Sequence, residues 1–339
     1  MKRNLPLTVG LILLAAITFI AIFGPGLAPA DPLETHAGVQ VNGEWVYPPY
    51  PPFTVPGFPL GSDLQGRDLL SRLLHGVRPT MILLSLAAVI RLALGAVIGM
   101  AAGWSKGQTG RVLEGLISAA LVIPTVIVSL GVITAIGIQK GLPAFLLGLC
   151  ATGWADTARV VSEQTRSLRT KPFIEAARAM GGTGGENVIR HILRHVTPTL
   201  AMLLAFEAGA TLMAIAVLGF LGYYLGGAFY IEVSDFSQRA ISGAPELGQM
   251  LSASWQIFKP FATVVTGTVI FAAVLGFNLV GEGLRRRLSL GALGTRGVFS
   301  DALARAGSWV SDALLVPDAQ NARRRQALGT LGAAALVGL

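Results

Sequence analysis

The chain has 339 residues, of which 53% are hydrophobic and 13% charged, and its formal net charge is +8. A soluble domain carries about 25% charged residues, so this composition excludes an ordinary soluble protein and indicates a polytopic membrane protein. The net charge is better explained by Lys and Arg gathered in loops on one side of a membrane than by nucleic-acid binding. The single cysteine, Cys150, excludes a disulfide framework or a cysteine metal site within one chain.

Six apolar runs approach the roughly 20 residues that a helix needs to cross a bilayer. They lie near residues 5–24, 80–103, 115–137, 141–161, 198–221 and 259–281. We therefore predict an all-α polytopic membrane protein with six transmembrane helices. The first helix occupies residues 1–24, and the other five form a core over residues 80–288.

Basic residues near the ends of these runs are shared unequally between the two sides of the membrane. One side carries Lys2, Arg3, Lys106, Arg111, Arg159, Arg166, Arg169, Lys171, Arg178, Arg190, Arg194, Arg285, Arg286 and Arg287. The other side carries Arg67, Arg72, Arg78, Lys140, Arg239 and Lys259. Because cytoplasmic loops are the richer in Lys and Arg, the first side is predicted to be cytoplasmic, together with the N-terminus.

Residues 25–79, between the first two runs, are predicted to be extracytoplasmic. A proline-rich spacer comes first, and residues 66–78 then repeat leucine at helical spacing, with polar residues on the opposite side. We expect a separate amphipathic helix in the outer interface here, with Asp68 and Arg72 paired at i,i+4.

The loop at residues 162–197, between the fourth and fifth runs, carries the signals of a short helix. Thr170 is a plausible N-cap, Pro172 suits the first helical position, and Glu175 complements the helix dipole in the first turn. Gly181 is placed to end the helix, because glycine tolerates positive φ. These residues alone fit either a helix seated in a groove of another protein or a helix resting on lipid headgroups.

The motif Glu175-Ala176-Ala177 followed by Gly181 resembles the EAA loop of permease subunits of binding-protein-dependent ABC importers. More narrowly, the chain resembles the second permease subunit of dipeptide, oligopeptide and nickel importers. The outer segment carries a similar subfamily motif, at Gly61, Asp63, Gly66, Arg67, Asp68, Ser71, Arg72 and Arg78. Segments at 220–222, 245–251 and 277–285 also resemble the family in order, so the likeness covers about residues 1–288.

The resemblance implies a transport subunit in the inner or plasma membrane of a prokaryote, with no enzymatic activity, cofactor or metal of its own, for peptides or similar small solutes. The helix between spans four and five would be a cytoplasmic coupling helix. Its ATPase-coupling positions would be Phe173, Glu175, Ala176, Ala177, Arg178 and Gly181. The implied partners are a second permease, two cytoplasmic ATPase subunits, an extracytoplasmic solute-binding protein and the lipid bilayer.

The sequence agrees that ATP hydrolysis belongs to another chain, since it has no Gly-Lys dipeptide and hence no phosphate-binding loop of the G-x4-G-K-[ST] type. It departs from the family at Arg194, where the usual residue is proline. Without that proline, the loop helix is expected to extend into span five.

Two charged residues, Arg91 and Glu207, fall inside apolar runs. Because a charge near the bilayer centre is costly, such residues usually face protein or water and are paired. One hypothesis is that they contact each other at the translocation path or at the permease interface. The alternatives are a structural pair, or unrelated residues whose neighbours lie on a partner chain.

Two other functional classes remain open from sequence, a gradient-driven secondary transporter and a non-transporting membrane anchor. Co-purification of an ATPase would separate the importer from both. Residues 289–339 form a C-terminal tail of unknown role, whose apolar end after Arg323-Arg324-Arg325 is too short to span. We expect this end to be the start of a truncated seventh span, the alternative being a natural helix on the membrane.

Overall fold

The computed structural model describes residues 4–181, 183–225, 229–234, 237–241, 244–256 and 260–291. The predicted tail at 289–339 lies outside the described residues beyond Gly291, where the last described helix ends.

The described residues are mainly helical. The helices are α1 (Leu5–Leu27), α2 (Leu69–Trp104), α3 (Gly107–Val122), α4 (Thr125–Ile136), α5 (Leu142–Thr152), α6 (Ala155–Arg169), α7 (Pro172–Ala179), α8 (Gly184–Asn187), α9 (Leu193–Phe220), α10 (Leu247–Gln256) and α11 (Pro260–Gly291). A 3-10 turn at Ile138–Lys140 precedes α5, and a π-helical stretch at Val188–Ile192 joins α8 to α9. Two antiparallel hairpins pair β1 (Val39–Val41) with β2 (Glu44–Val46), and β3 (Phe229–Ser234) with β4 (Ser237–Ile241).

Four helical segments of the described chain are long and apolar enough to cross a membrane. They are Leu5–Leu27, Leu69–Trp104, Gly184–Phe220 and Pro260–Leu288. The helices α3 and α4 meet at an angle of 86° and count as a fifth span if the bent pair is taken as one. The fourth predicted run falls on α5, which has 11 residues, and on the polar helix α6. The all-α class is therefore confirmed, with four to five apolar spans in the described residues.

Residues 69–78 differ from the expected separate interfacial helix, because they are the first turns of α2. The helix passes through Pro79 without ending. Membrane helices tolerate such a proline when neighbouring groups satisfy the freed backbone. The carbonyl that Pro79 leaves without an amide donor is that of His75. Next to it, the Thr80 hydroxyl donates to the Gly76 carbonyl at 2.9 Å, and the Leu247 amide of α10 donates to the same hydroxyl at 3.3 Å.

The long helix α2 lies at the centre of the bundle. It packs against α1, α3, α5, α6, α9 and α10. Its buried Leu83 and Leu84 belong to the same core as Phe145 of α5 and Leu212 of α9. We call the end of the bundle where α2 ends and α7 lies the α7 end. The opposite end, where α2 begins beside the β1–β2 hairpin, is the hairpin end.

Candidate functional site

The short helix α7 begins and ends as its sequence predicts. Pro172 occupies the first helical position, although the N-cap residue is Lys171 rather than the expected Thr170. The helix closes at Ala179, and Gly181 follows at φ +87° with its amide donating to the Arg178 carbonyl at 2.9 Å. A positive φ here favours glycine, so the exit of the chain from α7 depends on Gly181.

One face of α7 is anchored to its own chain and the other is open. Ile174 is fully buried and Ala177 is 6% exposed, and Ile174 belongs to a cluster with Val161 and Ile192. Glu175, Ala176, Arg178 and Met180 are exposed on the open side, and Phe173 is 38% exposed. Of the predicted coupling residues, Ala177 therefore faces the core of its own chain. The others are exposed on α7 or, in the case of Gly181, set the direction in which the chain leaves the helix.

The segment around α7 is tied to the end of α2 by two arginines. Arg169, the last residue of α6, donates from Nη1 to the carbonyls of Gly103, Trp104 and Ser105 at 3.2, 3.0 and 3.1 Å. Arg178 of α7 lies over the Trp104 ring, 4.8 Å from its centroid. A cation at a helix C-terminus satisfies carbonyls that the helix leaves unpaired and interacts favourably with its dipole.

A second tie joins α7 to α9. The Phe173 ring stacks on His195 with centroids 4.9 Å apart and an angle of 13° between the planes. His195 lies in the first turn of α9, on a helical stretch that runs from Gly184 to Phe220, as expected from the missing proline at Arg194. Displacement of α7 would therefore act on two membrane helices, α2 and α9.

Arg91 and Glu207 form an ion pair at 3.0 Å in the middle of the bundle. Arg91 also donates to the Thr211 hydroxyl at 2.7 Å, and the Thr157 hydroxyl of α6 donates to Glu207 at 2.7 Å. The two charged residues are 3% and 5% exposed. This enclosure between α2, α6 and α9 favours the structural pair over a pair that lines an open path.

Glycine makes room for these helices to approach. Along α2, Gly95, Gly99 and Gly103 face α6, and a Cβ added at Gly99 would lie 2.5 Å from the Ala158 carbonyl oxygen. At Gly153, between α5 and α6, an added Cβ would overlap the Arg91 guanidinium and lie 2.6 Å from the Leu149 carbonyl oxygen. The GxxxGxxxG spacing on α2 is a recognised helix-packing signal in membranes, and it would have predicted this contact from sequence.

The outer motif builds a compact turn before α2. Asp63 accepts from the backbone amides of Gln65 and Arg67 at 2.9 and 3.0 Å, and from Arg67 Nε at 2.7 Å. Asp68 caps α2 by accepting from the Ser71 amide at 2.7 Å, so it does not pair with Arg72 as expected. Gly61 and Gly66 adopt φ of +79° and +73° in this turn. Arg78 is exposed on α2.

Arg72 joins the outer motif to α10. Its guanidinium lies 3.7 Å from Asp63, donates to the Pro32 carbonyl at 3.2 Å, and donates to the Gln249 side chain at 3.0 Å. Arg72 is 2% exposed and Gln249 is 6% exposed. The predicted solvated polar face of residues 67–72 is thus buried, because α10 and the segment after α1 cover it.

A buried carboxyl, Glu246, lies directly before α10. It is 1% exposed and accepts from the Leu225 amide at 2.9 Å. Burial raises the pKa of this carboxyl from 4.5 to about 7, and the hydrogen bond from Leu225 opposes that rise. Its membership of the family-like segment at 245–251 was the available signal.

Within the described residues, no group of three or more His, Cys, Asp or Glu side chains is placed to hold a metal ion. Three arginines join other helices to α2: Arg72 near its beginning, Arg91 in its middle and Arg169 at its end. Together with the half-open helix α7, these features define a multi-pass membrane protein that presents a short, firmly backed helix at one end.

Comparison with known proteins agrees with this class. Residues 95–291 match the family described as binding-protein-dependent transport system inner membrane component. Residues 1–52 match the N-terminal TM domain of oligopeptide transport permease C. The chain belongs to the family of binding-protein-dependent transport system inner membrane components.

Individual relatives cover most of the chain. A dipeptide transport system permease protein, DppC of Alkalihalophilus pseudofirmus, is 28% identical over 290 residues, which are 85% of this chain and 86% of that protein. The oligopeptide permease OppC of Bacillus subtilis is 25% identical over 287 residues, 85% and 86% of the two chains. The glutathione permease GsiD of Pectobacterium atrosepticum is 28% identical over 231 residues, 68% and 71% of the two chains.

Family membership confirms the resemblance read from the motifs. The protein is a multi-pass inner-membrane permease of a binding-protein-dependent ABC transport system, and it is not the ATPase of that system. Such a system implies ATPase and binding-protein partners in general.

Proposed function

We propose that this chain is the second-type permease of an ABC importer for peptides or similar small solutes, and that α7 is its coupling helix. The substrate class is supported by the names of the relatives, which are permeases for dipeptides, oligopeptides and glutathione. The observation that carries the coupling role is the division of α7 into an anchored face and an open face.

The geometry of α7 suits the transfer of motion. Ile174 and Ala177 fix the helix from behind, while Glu175, Ala176 and Phe173 are the residues that a groove on the ATPase would contact. The side chain of Ala176 is small, so a partner surface can approach closely. Arg178 and Gly181 position α7 instead, because Arg178 lies over the Trp104 ring and Gly181 sets the exit of the chain.

We propose six spans, with α3 and α4 forming the third and α5 and α6 the fourth. The turn at Gly153 and Trp154 lets α5 and α6 follow one another along α2, which supports one bent crossing. The α7 end would be cytoplasmic, with the N-terminus on the same side, because Lys and Arg are concentrated there.

The proposed organisation is a first transmembrane helix at 1–24, an extracytoplasmic segment at 25–79, a five-helix permease core at 80–288 with the EAA loop at 162–197, and a tail at 289–339. The extracytoplasmic motif would hold this segment on α10 through Arg72 and Gln249. The chain would pair with a second permease and work with two ATPase subunits and an extracytoplasmic solute-binding protein. The enclosed Arg91–Glu207 pair would hold α2, α6 and α9 together as they move.

The test is a mild-detergent pull-down of the chain from its own membranes, followed by mass spectrometry. Wild type is expected to retain the ATPases and a second permease. Glu175→Arg and Gly181→Trp are expected to lose the ATPases, since the first reverses a charge on the open face and the second places a large side chain at a positive φ.

The matched control is Glu44→Arg, the same charge reversal on the exposed strand β2 at the hairpin end. It is expected to retain every partner. The proposal fails if wild type brings down no ATPase, or if Glu175→Arg and Gly181→Trp retain it as well as Glu44→Arg does.

A further inference from the structure

The chain between β2 and the outer motif has an unusual composition for an exposed loop. From residue 45 to residue 62 the sequence has no Asp, Glu, Lys or Arg, but it has six prolines and five aromatic residues. We call residues 51–60 the proline loop. Four of its ten residues are proline, which has no amide hydrogen to leave unpaired in lipid. Because aromatic side chains are favoured where a bilayer meets water, this composition suits the membrane interface.

The proline loop is a folded unit rather than the spacer that its prolines predicted. The Phe53 amide donates to the Pro59 carbonyl at 3.2 Å, and the Phe58 amide donates to the Val55 carbonyl at 3.1 Å. Val55 and Phe58 are buried with Tyr50 in a small core that β1 and β2 also contact. The loop is therefore closed on itself and held against the β1–β2 hairpin.

The ring of Phe53 points away from this small core. Phe53 is 77% exposed and adopts a φ of +60°, a backbone conformation that is unfavourable for a bulky residue. Its ring meets Phe261, in the first turn of α11, edge to face with centroids 5.8 Å apart. The loop thus holds an exposed apolar ring against the beginning of a membrane helix.

The sequence of α11 gives the depth of this contact. Between Lys259 and Glu282 no residue is charged, so the charge-free stretch is 260–281. With a rise of about 1.5 Å per residue, this stretch is roughly 33 Å long, close to the hydrocarbon thickness of about 30 Å. Phe261 therefore lies at the edge of the hydrocarbon at the hairpin end.

The first helix gives the same level independently. Leu7 of α1 packs on Gly283 near the end of α11, and the two helices pack along their length. α1 ends at Leu27, 20 positions after Leu7, which corresponds to about 30 Å. Leu27 therefore ends near the level of Phe261, and it is itself 61% exposed.

Phe261 begins an exposed stripe that runs down α11. Phe261, Val264, Thr268 and Phe271 are exposed at helical spacing, and Val264 and Phe271 are each 64% exposed. The stripe lies within the span Pro260–Leu288 of an inner-membrane protein, where an exposed apolar face meets lipid. Phe53 extends this face at the hydrocarbon edge, so the lipids that cover Val264 reach it as well.

We propose that the proline loop rests in the membrane interface at the hairpin end, with Phe53 inserted beside Phe261 among the acyl chains of the phospholipids there. The assignment of this interface to the outer leaflet rests on the proposed function. Contact with lipid does not depend on the solute or on any partner.

Anchoring of the proline loop would also fix the outer motif at the membrane surface. The Gly61 amide donates to the Phe58 carbonyl at 3.0 Å, and the Ser62 amide donates to the Tyr50 carbonyl at 3.2 Å. The loop and the turn before α2 are therefore joined by short backbone hydrogen bonds, and a membrane contact at Phe53 holds both.

The first experiment measures the depth of single nitroxide labels on the full chain, extracted with its native partners and reconstituted in phospholipid bilayers. In a Cys150→Ala chain, cysteine replaces Phe53, Val264, Phe271 or Glu44 in turn and carries the label. Val264→Cys and Phe271→Cys calibrate two depths on α11, about 10 Å apart. Glu44→Cys, exposed on β2, is the aqueous reference. The Cys150→Ala chain alone gives the background from cysteines of the partners.

The measured quantity is the accessibility of each label to O2, which concentrates in hydrocarbon, divided by its accessibility to a polar nickel chelate. This ratio is expected to be about tenfold or more higher at Phe53→Cys than at Glu44→Cys, because polar solutes are disfavoured in hydrocarbon. It should be close to the ratio at Val264→Cys and below that at Phe271→Cys. A ratio equal to that of Glu44→Cys would overturn the proposal, as would exclusion of both reagents, which indicates a protein cover.

The second experiment identifies what touches Phe53 in native membranes. Photoreactive p-benzoylphenylalanine replaces Phe53, and in a control chain it replaces Glu44. Irradiation is expected to give a phospholipid adduct at position 53, detected by mass spectrometry of the chain, and none at position 44. A cross-link from position 53 to a second permease or to a soluble protein, in place of the lipid adduct, would refute the proposal. Neither experiment requires a bound ATPase, so its failure would leave the importer role in place.

Discussion

The guanidinium of Arg91 lies 3.0 Å from the carboxylate of Glu207, although the two residues are 116 positions apart in the sequence. Thr157 and Thr211 bond to the same two side chains, so three helices meet at one buried polar junction. Because an isolated charge in a bilayer is costly, each of the two residues stabilises the charge of the other.

Replacing one member of this ion pair should lower the stability of the protein more than the loss of the interaction alone would, because the other charge stays buried without a partner. Glu207→Leu is expected to lower the stability of the protein in mild detergent by about 3–5 kcal/mol, because it leaves a buried, uncompensated guanidinium. Arg91→Leu with Glu207→Leu should be less damaging than the sum of the single changes. Thermal unfolding of all four proteins measures the coupling, and strictly additive losses would show that the pair is not an energetic unit.

The glycine contact between α2 and α6 gives a second prediction. Gly99→Ala is expected to cost about 1–3 kcal/mol, since its Cβ would lie 2.5 Å from the Ala158 carbonyl oxygen and force the helices apart. Gly131→Ala in α4 is the control, because its Cβ would meet nothing within 4 Å. Helix propensity alone makes that control neutral or stabilising by up to about 1 kcal/mol. Equal unfolding temperatures for the two variants would refute the close packing at Gly99.

Arg169 is predicted to limit the mobility of α7. Replacing it by alanine removes the bonds to the three terminal carbonyls of α2 and should cost about 1–2 kcal/mol locally. Backbone amides of residues 172–181 should then exchange hydrogen faster, while amides in the middle of α2 keep their protection. Arg111→Ala, at an exposed position of α3, should change neither set. Unaltered exchange across α7 in Arg169→Ala would show that the carbonyl contacts do not restrain it.

Glu246 predicts a pH dependence of stability. Its folded pKa of about 7 exceeds the ordinary 4.5, so between these values the folded state holds a proton that the unfolded state has lost. Stability is therefore expected to fall as pH rises from about 4.5 to about 7, and to change little above that through this group. Since each pKa unit corresponds to about 1.4 kcal/mol, the loss would approach ~3 kcal/mol.

Glu246→Gln removes the titrating proton and keeps the shape of the side chain. In this variant the unfolding temperature is expected to fall less between about pH 5 and pH 7, because the group that releases a proton over this range is gone. Glu44→Gln, which alters an exposed carboxylate on β2, should leave the fall in place. A Glu246→Gln protein with the wild-type pH profile would assign the dependence to other groups.

The local signals in the sequence were sufficient for α7 and for the long apolar helices. Pro172 and Gly181 mark the two ends of α7, because proline lacks the amide donor that an interior helical position needs, and glycine permits the positive φ that follows the last turn. The missing proline at Arg194 predicted the continuous stretch from Gly184 into α9. The Arg91–Glu207 contact was one hypothesis among several from sequence, since a charge in an apolar run restricts its neighbours to water, protein or an opposite charge but does not say which.

What the sequence by itself determined is the class of protein, the approximate spans and the short helix between the fourth and fifth runs, because hydropathy, proline and glycine act locally. The tertiary structure alone decided that residues 69–78 continue into α2, that Ala177 faces inward, and that Arg72 meets Gln249. Arg72 and Gln249 are 177 positions apart. No local pattern predicts such a contact, because the sequence around a polar residue indicates solvent exposure, and only the tertiary structure shows that a distant helix covers it.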